Sequence, residues 1–205
     1  MNIKSYALIG VTCLVLVSLT VAAQTKGQDQ AIAVMKSSFK ERGQAKLDRL
    51  EQDRTMQVCT QYAQKPLPKK LAKEIETENL KAVPFPEDGK YLGDWKNGER
   101  IAQSGVGMQF SDNPANPSGG NCYACHKLDA KELSFGTIGP SLHQFGKIRG
   151  YGPEIAKYAY GKVYNAQAYS ACSNMPRFGH HKILTEQQIK DVVALLMDPD
   201  SPVNK

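Results

Sequence analysis

Apolar residues are spread unevenly along the 205-residue chain. The densest run, Tyr6 to Ala23, follows a single positive charge at Lys4 and ends on Val21-Ala22-Ala23. A charged head, an apolar stretch and small residues at its end are the parts of a secretory signal, cleaved here before Gln24. At about 18 residues the run sits at the bottom of the membrane-spanning range. Thr12, Ser18 and Thr20 weaken it further as an anchor. Gly10-Val11-Thr12 lacks the leucine of a lipid-attachment box, so Cys13 is expected to leave with the signal.

Beyond that run the pattern turns helical. Ile32, Met35, Phe39, Leu47 and Leu50 recur near spacings of three and four between charged residues. This predicts helix from Gln28 to about Cys59, interrupted at Gly43. Pro66 and Pro68 break the pattern, a second helix is predicted from about Lys69 to Ala82, and Pro84 and Pro86 end it. Shorter helices are predicted near residues 97–104 and 154–165. The clearest starts at Thr185, where Gln188 completes a capping box. Ile189, Val192, Val193 and Leu196 then form one apolar face, and Pro199 stops the helix. No alternating run argues for a sheet, so the expected fold class is all-α.

Composition narrows the function. Net charge is +6, without the dense Lys/Arg runs of nucleic-acid binders. Once the signal is cleaved no membrane segment is expected. Of five cysteines, Cys59, Cys122, Cys125 and Cys172 remain after cleavage, in an oxidising compartment.

Cys122-Tyr123-Ala124-Cys125-His126 carries the chemistry. On one helical turn both thiols can bond the vinyl groups of a single haem, and the next residue delivers an imidazole to the iron. Two rivals are weaker. A thioredoxin-like dithiol would need a βαβ unit. Zinc would need a second ligand pair, and the adjacent His180 and His181 do not share a face. One covalent haem c is therefore expected, bound by Cys122 and Cys125 with His126 on the iron.

Two downstream segments resemble class I cytochromes c. Gly139-Pro140-Ser141-Leu142 is similar to the segment whose proline carbonyl accepts the proximal histidine's ring N–H, which gives Pro140 that role. Ser173-Asn174-Met175-Pro176, in a loop ahead of the terminal helix, matches the position of the distal ligand. Met175 is thus the expected sixth ligand, with His180 or His181 as the rival. Met197 reads as core, and Met35, Met56 and Met108 precede the haem motif. Cys59 and Cys172 have no ligand partner nearby and are expected to form a disulfide.

A closer resemblance covers a little over half the chain. Gly93-Asp94-Trp95, Ile101-Ala102-Gln103-Ser104-Gly105, Phe135 to Leu142, Tyr164-Asn165-Ala166, Cys172 to Gly179 and Leu184 to Ile189 resemble SoxX, the monohaem subunit of the SoxAX complex of sulfur-oxidising bacteria. This implies a class I cytochrome c-like haem domain at 91–205, behind a signal at 1–23 and a helical N-terminal extension at 24–90. It also implies a periplasmic electron-transfer subunit of L-cysteine S-thiosulfotransferase. The expected partners are SoxA, the SoxYZ carrier and a soluble cytochrome c acceptor, and the substrate site lies on SoxA, so no catalytic residue is expected here. A free diffusible carrier is the alternative, although such a carrier has no use for a stapled helical arm. A haem sensor would want an open sixth position, which Met175 argues against.

Overall fold

The computed structural model describes residues 29–205, so the expected signal and Cys13 lie outside the described residues. The described chain is helical, with one isolated bridge between Arg42 and Ala45 and no strand. It forms two compact units, the first ending at Glu51 and the second running from Gln52 to Lys205.

In the first unit, helix α1 covers residues 29–38. The chain then turns at Gly43 (φ 53°) and makes a 3₁₀ turn over Leu47–Leu50. The helix expected from Gln28 to about Cys59 thus ends at residue 38, ahead of the Gly43 turn, and α-helix resumes only at Arg54. Lys36 reaches Glu51 (2.7 Å) and Lys46 reaches Glu41 (3.6 Å).

The second unit holds α2 (Arg54–Gln61), α3 (Lys69–Lys81), α4 (Trp95–Gln103), α5 (Phe145–Arg149), α6 (Pro153–Tyr164) and α7 (Glu186–Met197). Its boundary falls after Glu51, whereas the sequence placed the haem domain's start at 91. The reason is polar as well as apolar. Cys59 of α2 is bonded to Cys172, Asp53 pairs with the buried Arg177 (2.7 Å), and Asn79 of α3 accepts from Asn165 (2.8 Å). Helices α2 and α3 are thus built into the same body as the haem motif.

The frame of this unit is the crossing of α4 and α7, its most extensive helix contact. Gly98 makes the close approach possible, since a Cβ there would lie 2.1 Å from the Asp191 carbonyl oxygen. Gly93 N–H donates to Lys190 O (3.0 Å), and Asp94 N–H donates to the Asp191 carboxylate (2.9 Å). Asp94 also caps α4 by accepting from Lys96 N–H. The Thr185–Gln188 capping box starts α7. Ile189, Val192, Val193 and Leu196 are buried as their spacing predicts, and Met197 is core as expected, but Ala194 and Leu195 are buried as well. A helix covered on all sides loses its amphipathic signature. Here α4, α5 and α6 all pack on α7. Phe85, Tyr91, Tyr160 and Tyr164 extend this core through tilted, edge and stacked ring contacts.

Candidate haem site

The α4–α7 frame ends where the motif begins. Gly120 N–H donates to Ile101 O (2.8 Å) and Asn121 N–H to Ser104 O (2.8 Å), fixing the approach to Cys122 on the end of α4. Gln188 of α7 donates to Ser118 O (2.7 Å). Asn121 adopts φ 46°, and Cys122–Ala124 then form a 3₁₀ turn closed by Cys125 N–H and His126 N–H donating to Cys122 O (3.1 and 2.9 Å). Both motif cysteines are half-buried and outside any disulfide. Burial pushes the Cys122 thiol up to about 12.

A second strand of chain runs alongside. Gly136, Gly139 and Leu142 N–H groups donate to the carbonyls of Tyr123, Cys125 and Lys127, each at 2.8 Å. This pairing brings Gly139 and Pro140 against His126. The Nδ1–H of His126 donates to Pro140 O at 2.7 Å. A carbonyl can only accept, so the bond selects the tautomer that leaves the Nε2 lone pair for a metal. A Cβ on Gly139 would lie 2.2 Å from Cε1 of the same ring. Glycine is therefore required there by space alone.

The donor set fits a haem c. Two free thiols beside an oriented imidazole are what covalent attachment and ligation of a haem iron need. Cys122, Phe135, Leu142 and Met175 are each half-buried and packed against the core. Ile138, 81% exposed, stands beside Gly139. Among the described residues, no group of three or more His, Cys, Asp or Glu gathers to hold a metal ion without such a cofactor.

The alternative sixth ligands have other engagements. His180 Nε2 lies 3.4 Å from the Asp53 carboxylate, and its ring meets that of His181 edge-on at 4.9 Å. Burial, then the Arg177 charge, lowers both histidines' pKa values. Met197 is buried in the core on α7. His143 Nδ1–H donates to Leu128 O (3.1 Å).

Residues 107–198 match the cytochrome c family. The chain carries a cytochrome c domain. That domain implies covalently bound haem c and an electron-transfer role. The chain is also similar to an uncharacterized lipoprotein of Aquifex aeolicus (strain VF5), 41% identical over 126 residues. The alignment covers 60% of this chain and 58% of that protein, so the chain spans a little over half the length of the relative it matches.

Several residues that shape the site escaped the sequence reading. Asp53 accepts from Met56 N–H (2.8 Å) as the cap of α2, and pairs with both Arg177 and His180. Nothing in its spacing signals the second role; only an acidic residue ahead of a helix signals the first. Burial raises the Asp53 pKa, but the Met56 N–H and the Arg177 guanidinium outweigh it and hold the carboxyl below its ordinary 3.8. A depressed folded value adds stability that is whole above the unfolded value and lost as pH falls through the folded one. The difference in urea midpoint between wild type and Asp53→Asn should therefore shrink as the pH drops below 3.8. A difference independent of pH in that range would show that the ionised carboxylate does not matter.

Proposed function

We propose that this chain is the single-haem electron-transfer subunit of a SoxAX-type complex. One haem c is attached through Cys122 and Cys125 and ligated by His126 and Met175. When bound, that group supplies one-electron cycling between Fe(III) and Fe(II). The carrying observation is the His126–Pro140 hydrogen bond beside two unpaired motif thiols. Support for the complex comes from the resemblance across Phe135–Leu142 and Cys172–Gly179.

In this reading the SoxY carrier thiolate and the outer sulfur of thiosulfate form one S–S bond at SoxA, releasing two electrons. This chain accepts them one at a time and passes them to a soluble cytochrome c. His126 and Met175 fix the iron's coordination. Pro140 holds the tautomer and adds basicity to the imidazole. The thioether favours the reduced iron relative to a second histidine, which suits an acceptor. Export to the periplasm with cleavage before Gln24 completes the reading. No helix among the described residues is long and apolar enough to cross a membrane.

The test uses the exported protein. Its intact mass should equal the chain from Gln24 plus one haem that resists acid-acetone extraction. Mixed with SoxYZ and an oxidised soluble cytochrome c as acceptor it should not consume thiosulfate, and adding SoxA should start consumption. Extractable haem would sink the attachment, and a lipid adduct on Cys13 would sink the cleavage site. Turnover without SoxA would move the substrate site onto this chain.

A further inference from the structure

We infer that Gln167 is a positioning residue for Met175, backed through α3 by Glu76 and Asn79. The inference rests on the reading of Met175 as sixth ligand. The segment from Ala171 to Met175 belongs to no helix. Within it Cys172 adopts φ 60°, a left-handed conformation that a residue with a Cβ keeps only where its surroundings hold it.

Four side-chain contacts and one covalent bond do the holding. Gln167, buried at 7% exposure, accepts from Cys172 N–H through Oε1 and donates from Nε2 to Ser173 O (3.1 Å). Both ends of one amide thus grip adjacent residues, and a rotation that frees one bond breaks the other. Glu76 accepts from Ala171 N–H (3.3 Å). Ser173 Oγ accepts from Met175 N–H itself (3.2 Å). Cys172 is bonded to Cys59 on α2.

Gln167 is itself fixed from behind. It sits in the 3₁₀ turn Ala166–Ala168, where its N–H donates to the Asn165 cap (3.1 Å). Asn165 donates to Asn79 of α3 (2.8 Å), and Asn79 donates to Thr55 Oγ1 (3.0 Å) and Ile75 O (2.8 Å). Asn79 and Asn165 are 6% and 0% exposed, so water cannot replace these bonds. A continuous line of amides therefore connects the helical arm to the ligand loop. A thioether held on a loop leaves the iron whenever the loop opens, so these bonds set how often the sixth position becomes accessible.

The experiment uses the ferric holoprotein and imidazole as the probe. Imidazole binding waits for loop opening, so its rate reports the grip. Gln167→Met keeps the size and loses both hydrogen bonds. It should bind imidazole about thirtyfold faster, two bonds of ordinary net strength, with the near-infrared thioether–iron band lost at lower imidazole concentration. Gln167→Glu keeps the acceptor and loses the donor, and Glu76→Ala removes one contact at the protein's edge. Each should accelerate binding about fivefold with the disulfide and haem content intact.

A merely structural role would lower the melting temperature and leave the imidazole rate untouched, which would overturn the inference. If Gln167→Met does not fold, the other two variants decide by the same criterion. Met175→Ala separates the two ideas. If it leaves the band in place, the ligand reading fails and this inference falls with it. If it abolishes the band while the Gln167 and Glu76 variants bind imidazole at the wild-type rate, only the positioning role fails.

Discussion

Gly139→Ala is expected to convert the haem from low-spin to high-spin and to cut the yield of mature protein sharply. The new Cβ would stand 2.2 Å from Cε1, 2.5 Å from Nδ1 and 2.8 Å from Nε2 of His126. Neither partner can step aside cheaply. Gly139 is pinned by its N–H on Cys125 O, and His126 by its own N–H on Cys122 O. The ring is further held by Pro140 O at 2.7 Å. To relieve the clash the imidazole must tilt, and tilting breaks that bond and swings Nε2 off its line to the iron. Overpacking a well-fitted site costs about 3 kcal/mol or occasionally more, a large share of a typical folding free energy. Haem in the surviving fraction should remain attached through Cys122 and Cys125, since the thiols are untouched. The absorption spectrum of purified exported protein is the measurement. A wild-type low-spin spectrum and an unchanged reduction potential would show that the ring has room the geometry denies it.

That substitution also marks what a sequence can disclose. The haem motif and the Gly-Pro segment are legible because their chemistry is local: ligand, thiols and tautomer-setting carbonyl lie within a single stretch from Cys122 to Pro140. The α7 start is legible for the same reason, because the Thr185–Gln188 box needs only four residues. The all-α fold follows from periodicity. The division between the units does not, because it rests on pairings between distant polar residues. Asn79 and Asn165 are 86 positions apart, and each alone reads as a surface residue. Only their mutual satisfaction makes burial tolerable. Gln167 is hidden by the same rule, while Arg177 is buried beside the charge of Asp53, more than a hundred positions earlier, with its Nη1 and Nη2 atoms making no hydrogen bond among the described residues. Helix α7 errs in the opposite direction. Ala194 and Leu195 lie off the expected stripe, yet three helices around them remove the exposed face.

Removing the Cys59–Cys172 bridge should lower stability more than any single surface change and loosen the Met175 loop with it. The two residues are 113 positions apart with Cα atoms at 5.4 Å, so the bond closes most of the second unit into a loop. The chain-entropy model gives somewhat under about 5 kcal/mol for such a loop. The realised loss should be smaller, because α2 and α3 keep the Asp53–Arg177 pair, the Arg54–Glu78 pair and the Asn79 bonds without it. Those contacts hold the arm in place but leave Cys172 with one constraint fewer on a conformation it does not favour. Cys59→Ser/Cys172→Ser should therefore show two effects that separate on warming. The thioether–iron band should fade first, as the loop opens, and the helical signal should melt later, at a midpoint below that of the bridged protein. In the unreduced, unfolded wild type, alkylation should label neither cysteine. Equal melting curves for the two proteins would mean that the polar pairings alone fix the arm. A band that fades only together with the helices would mean that the bridge serves the unit's stability and not the loop that carries Met175.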